Sequence, residues 1–133
     1  DYSDFTVCKA EDGAVTAAVT VKNVGERDGE EVVQLYGRDV LASVIRPRQE
    51  LVGFKRVALK AGGQKRVTFT FHLDQFAFEN AGYDWVLEKG DFEFFVGGHS
   101  DDHRLNASVH QDRTIPVNPR KRSFYAEAQV ECL

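Results

Sequence analysis

Residues 31–57 read EVVQLYGRDVLASVIRPRQELVGFKRV, from Glu31 to Val57, and this stretch decides how the rest of the 133-residue chain is read. Its first six residues alternate with a period of two. Val33 and Leu35 point one way, and Val32, Gln34 and Tyr36 point the other, as in a β-strand. Both faces are partly apolar, so the strand is expected at the centre of a sheet or under cover. A polar arm follows, residues 38–50, built around Arg46-Pro47-Arg48. The chain is then expected to re-enter the core at Leu51-Val52-Gly53-Phe54, with Val33, Leu35, Leu51 and Phe54 as core members. Leu51, Phe54, Val57 and Leu59 do not keep a strict phase of two. The break falls at Gly53, where a bulge is expected.

The same alternation recurs on both sides of this stretch. Upstream, Val15, Ala17, Val19 and Val21 share one face, with Thr16, Thr20 and Lys22 opposite. A turn at residues 23–29 ends in Asp28-Gly29, a pair that tolerates positive φ. Downstream, Val67, Phe69, Phe71 and Leu73 form an inward set, and Phe92, Phe94 and Val96 another. Leu105, Ala107 and Val109 are expected to line a last strand. No segment sustains a 3.6-residue period. About seven short strands with turns between them predict an all-β, immunoglobulin-like antiparallel sandwich. Ten phenylalanines suit the gap of about 10 Å between two sheets. The sandwich is expected over residues 1–111. Residues 112–133, with Pro116, Pro119 and the basic run Arg120-Lys121-Arg122, are expected as an extended tail, docked or serving as a linker.

A chain of this size buries roughly 68% of the surface its unfolded form exposes, enough for one core without staples. The net charge of -4 argues against a nucleic-acid footprint, which needs a basic face. No apolar run approaches the roughly 20 residues needed to span a bilayer as a helix. The chain contains no methionine and so reads as a segment of a longer polypeptide. Its two cysteines, Cys8 and Cys132, lie near opposite ends. A disulfide would tie the tail to the first strand, while two unrelated thiols is the plainer reading. So few cysteines fit a cytoplasmic setting slightly better than an exported one.

Four segments, in order, carry a family resemblance. They are Val19-Thr-Val-Lys-Asn-Val-Gly25 with Asp28-Gly29; Glu31-Val-Val-Gln-Leu-Tyr36; Arg46-Pro-Arg-Gln-Glu-Leu-Val-Gly-Phe-Lys-Arg-Val57; and Trp85 leading through Glu88-Lys-Gly90 to Phe94-Phe-Val-Gly97. Together they resemble the C-terminal fibronectin type III-like domain of glycoside hydrolase family 3 enzymes, the β-glucosidases and β-xylosidases. The resemblance covers roughly Tyr2 to Val109. It implies a parent enzyme that cleaves terminal, non-reducing β-D-glucosyl or β-D-xylosyl residues with retention. It also implies that the nucleophile and the acid/base belong to other domains, so no catalytic residue and no cofactor is expected here. The implied partner is the catalytic part of that enzyme.

The candidate chemistry is sparse. Glu30/Glu31, Asp84/Glu88 and Asp101/Asp102 are the carboxylate clusters, all at turns or strand ends where solvated acids are ordinary, whereas glycoside hydrolysis needs a pair flanking a sugar pocket. His99-Ser-Asp-Asp-His103 could be a metal cluster or a polar hairpin loop, and the loop is preferred. Asn106-Ala107-Ser108 matches a glycosylation sequon on an outward face. Tyr36, Tyr83, Trp85 and Phe95 could stack sugar rings, making a carbohydrate-binding module, or could face a neighbouring domain. A dimerisation or adhesion domain is a third reading. Arg46, Pro47, Arg48 and Glu50 are the candidate interdomain contact: arginine's planar fork suits interface pairing, and Pro47 stiffens the approach. A solvent loop is the alternative.

Overall fold

The computed structural model describes residues 1–10, 13–39, 50–79, 82, 84–87, 89–99, 104–112, 114–118 and 126–132. Strands β1 (Tyr2–Lys9), β2 (Ala14–Lys22), β3 (Gly29–Asp39), β4 (Glu50–Leu59) and β5 (Gln64–His72) follow one another in sequence. A 3-10 turn spans Leu73–Phe76. After it come the short strands β6 (Phe78–Glu79) and β7 (Trp85–Leu87), then β8 (Gly90–Gly97), β9 (Leu105–Gln111), β10 (Ile115–Pro116) and β11 (Glu127–Cys132). Two four-stranded sheets form the sandwich, in the orders β1-β2-β5-β11 and β4-β3-β8-β9. A small sheet, β10-β7-β6, lies outside them. All the pairings are antiparallel. Of the strands read from the sequence, β2 to β5, β8 and β9 lie in the sandwich and Trp85–Leu87 in the small sheet, while β1 and β11 complete the two four-stranded layers.

The alternating residues do what their period requires. Val15, Ala17, Val19 and Val21 of β2, Val67, Phe69 and Phe71 of β5, and Phe92, Phe94 and Val96 of β8 are all buried in one core. Its centre is aromatic. Phe71 and Phe94 stand 5.3 Å apart, and Phe76 packs on Phe92 and Phe94 at 5.4 and 6.0 Å, all tilted or edge-on as ring quadrupoles prefer. Gly37 makes room for this cluster. A Cβ placed there would sit 2.7 Å from the Phe76 ring and 2.8 Å from that of Phe94.

The segment 29–59 corrects one expectation. β3 is central, between β4 and β8, as its two apolar faces require. Val33 and Leu35 are fully buried. Leu51 and Phe54 are not core: they are 49% and 63% exposed. The cause is the bulge. Leu35 pairs with Gly53, but Tyr36 pairs with Leu51, so Val52 is the extra residue of the edge strand. Val52 takes the inward position at 3% exposure, and Val57 and Leu59 hold the inward phase farther along. Phe54 falls opposite Gln34, on the outward face.

The tail contributes a strand of its own. β11 pairs with β5 from Glu127↔Thr70 to Cys132↔Lys65, so the strand ending at Gln111 is not the last. Ala128 and Val130 pack against the core while Glu127, Gln129 and Glu131 face water. Gly53 lets the chain enter this strand: a Cβ at Gly53 would meet the Ala126 Cβ at 2.8 Å and Phe69 at 3.2 Å. The Ala126 amide donates to the Val52 carbonyl at 3.4 Å, linking the tail to the opposite sheet. This placement also separates the cysteines. Cys8 lies on β1 and Cys132 on β11, opposite edges of one sheet, and both are free and exposed. Three strand spacings amount to roughly 14 Å. That is well beyond the Cα separation, about 7 Å, that a disulfide can bridge.

Candidate interdomain surface

Antiparallel register fixes which side chains share the outward face of the β4-β3-β8-β9 sheet. One row runs Leu51, Tyr36, Phe95, Asn106. The next runs Phe54, Gln34, Gly97. Arg56 and Val32 flank one side, and Arg38, Glu93 and Ser108 the other. The centre of the face is therefore apolar and aromatic. The Tyr36 hydroxyl donates to Gln34 Oε1, so its polar end is engaged within the sheet.

The charges on this face neutralise one another locally. Arg38 donates from Nε and Nη2 to a Glu93 carboxylate oxygen, at 3.2 and 2.9 Å. Its guanidinium also lies over the Phe95 ring, 5.5 Å from the centroid. Phe95 is thereby only 8% exposed, although it belongs to the outward face. Arg56 approaches Glu30 at 3.6 Å, with both side chains mostly in water. Such a pair adds little stability.

The expected site residues are only partly brought together. Tyr36 and Phe95 are direct cross-strand neighbours. Trp85 belongs to the separate small sheet, half-buried, its carbonyl accepting from the Val117 amide at 2.9 Å. Tyr83, Arg46, Pro47 and Arg48 lie outside the described residues, as do residues 100–103 of the histidine-bearing loop. Glu50 opens β4 opposite Gly37 and is half-buried. The four aromatics therefore do not present one described platform. Instead the exposed large apolar members of the face are Phe54 and Leu51, which hydrophobicity alone had assigned to the core. Parity would have found Phe54, because it stands an odd three residues from buried Val57.

The outward face of the other sheet is built differently. Its rows read Cys8, Thr16, Thr70, Glu127; then Thr6, Ala18, Thr68, Gln129; then Ser3, Thr20, Arg66, Glu131. Arg66 ties three strands together. Its Nη1 donates to the Asp4 carbonyl at 3.1 Å and to Thr20 Oγ1 at 2.9 Å, and its Nη2 to Thr6 Oγ1 at 3.3 Å. Its hydroxyls, carboxylates and guanidinium are at home in water.

Elsewhere, a shallow cleft of about 240 Å³ opens at one end of the sandwich, lined by Asp1, Asn23, Arg27, Glu30 and Leu59 among others. Asn23 shapes its rim, donating to the Arg27 and Leu59 carbonyls at 2.8 and 3.2 Å and accepting from the Gly25 amide at 2.9 Å. These bonds hold a turn. No group of three or more metal-ligating side chains gathers among the described residues.

The sequence profile of the fibronectin type III-like domain matches residues 31–100. Over 98% of its length the chain is 42% identical to the thermostable β-glucosidase B of Acetivibrio thermocellus, of which it spans 18%. It is 40% identical over 94% of its length to an exo-α-(1→6)-L-arabinopyranosidase of Bifidobacterium longum, spanning 17% of that protein. Among solved structures, β-glucosidase 3B from Thermotoga neapolitana, in complex with α-D-glucose, superposes with a TM-score of 0.82 at 28% identity. That match covers 90% of this chain and 16% of that one. The chain thus spans less than a fifth of each of these relatives. It belongs to the fibronectin type III-like domain family, in the form found within family 3 β-glucosidases.

Proposed function

We propose that this chain is the accessory domain of a longer glycoside hydrolase of the β-glucosidase or β-xylosidase type, and that it packs against the catalytic part and stabilises it. One observation carries the reading: 98% of the chain matches a β-glucosidase at 42% identity while spanning only 18% of it. The parent would release terminal, non-reducing β-D-glucosyl or β-D-xylosyl residues. The choice of sugar belongs to the other domains, since relatives of 42% and 40% identity carry the names of a β-glucosidase and an arabinopyranosidase. Residues Arg46, Pro47, Arg48 and Glu50 are assigned to the interdomain contact. They belong to or border the connection between β3, which ends at Asp39, and β4, which begins at Glu50, next to exposed Leu51. A guanidinium can pair there with a carboxylate of the catalytic part through two parallel hydrogen bonds.

The test compares the full-length polypeptide with one lacking this domain, using p-nitrophenyl β-glucoside and β-xyloside hydrolysis and thermal unfolding. The expected result is no hydrolysis by the chain alone and a markedly lower unfolding temperature, or loss of soluble enzyme, on deletion. Unchanged stability and activity after deletion would refute the bracing role. Arg46→Ala and Arg48→Ala are expected to lower the unfolding temperature of the full enzyme and hardly that of the isolated domain.

A further inference from the structure

We infer that the outward face of the β4-β3-β8-β9 sheet, centred on Phe54, Leu51 and Tyr36, is the surface on which the catalytic part of the same polypeptide is seated. The inference rests on the accessory-domain reading and names the surface that reading leaves open. Three observations carry it.

The first is composition at fixed geometry. Both sheets of the sandwich have an outward face, and away from the bulges in β1 and β4 the strands alternate, so neither face is apolar by necessity. One is finished with threonines, Arg66 and the acidic residues of β11. The other exposes 63% of Phe54 and 49% of Leu51 beside Tyr36 and Val32. Exposed large apolar side chains that cluster on one face, ringed by polar groups, mark an interface.

The second is the state of the polar groups on that face. Arg38 is already bonded to Glu93, Arg56 lies near Glu30, and the Tyr36 hydroxyl is bonded to Gln34. Little charge is left to attract a polyanion. The Tyr36 hydroxyl and the Arg38 guanidinium, the groups best suited to a sugar's hydroxyls, already hold partners within the sheet. What remains exposed is apolar surface on edge strand β4, Leu51 and Phe54, running on to half-buried Tyr36 beside charges that pair among themselves, which suits a protein–protein contact.

The third is the source of a partner. The curated relatives are more than five times the length of the matched segment and carry it in one polypeptide, so a partner surface is supplied at high effective concentration without association of a second molecule.

The test uses the full-length enzyme with p-benzoylphenylalanine incorporated at Phe54 and, separately, at Thr68 on the other outward face. After irradiation, the expected result is a cross-link from position 54 to a peptide outside residues 1–133, on a band of monomer mass, with position 68 giving none. Cross-links from position 54 only between two copies would make a dimer the occupant and overturn the inference. Equal, solvent-quenched behaviour at both positions would overturn it too. Either failure leaves the accessory-domain reading standing if deletion of the domain still destabilises the enzyme. If deletion has no effect, that reading falls as well.

Discussion

The two outward faces of this sandwich share a fold and a period, yet they are made of different chemistry. On the β1-β2-β5-β11 side, cross-strand neighbours are threonines, with Arg66 hydrogen-bonded across three strands. On the β4-β3-β8-β9 side they are Leu51, Tyr36 and Phe95, with Phe54 one row along. A two-sheet sandwich needs only its inner faces to be apolar. The aromatic outer face is therefore extra to folding, and its explanation has to lie outside the domain. The first face shows what this fold looks like when it ends in water, and the second what it looks like when something is meant to cover it.

Substitutions break or sharpen that comparison according to whether their effect depends on the rest of the enzyme. The largest effect belongs to the core that both faces share. Phe94→Ala removes the ring between Phe71 and Phe76. It is expected to cost about 3–5 kcal/mol in denaturant unfolding. The loss should be the same in the isolated chain and the full enzyme. Gly37→Ala comes next, since its methyl would stand less than 3 Å from two rings. Overpacking of this kind costs about 1–3 kcal/mol. Arg66→Ala, on the polar face, should lose about 1–2 kcal/mol as its three bonds go. Its effect should again be independent of context. Phe54→Ser should change the isolated chain by no more than about 0.5 kcal/mol, as exposed substitutions do. In the full enzyme it should lower the unfolding temperature by several degrees. A context-independent Phe54 would erase the distinction between the faces, and a context-dependent Arg66 would blur it.

Much of the sandwich was legible because alternation reports burial directly. The inward sets of β2, β5 and β8 could be read off by parity, and β3 was recognisable as central from apolar residues on both its faces. The edge strand was harder. A bulge at Gly53 was readable, but the side on which the extra residue falls is set by the pairing partner, not by the strand itself. Leu51 and Phe54 were therefore misplaced into the core, and the exposed apolar edge of the outward face was missed. The tail was harder still. Ala128 and Val130 are modest apolar residues, and β11 exists because β5 offers an unpaired edge and Gly53 a gap for Ala126. Both conditions are tertiary. Of the aromatic set, Tyr36 and Phe95 do meet, but Arg38 covers Phe95, a contact set by the Arg38–Glu93 register that hydrophobicity does not reveal.

The central claim, that the aromatic outer face is covered in the complete enzyme, can be measured by hydroxyl-radical footprinting of the full-length protein. Phe54 and Val24 are both well exposed in this domain, at 63% and 70%. Val24 sits in the turn between β2 and β3, outside the paired rows of the aromatic face, and phenylalanine is the more reactive of the two side chains. The account predicts oxidation of Phe54 well below that of Val24. Oxidation of Phe54 faster than Val24 would contradict it.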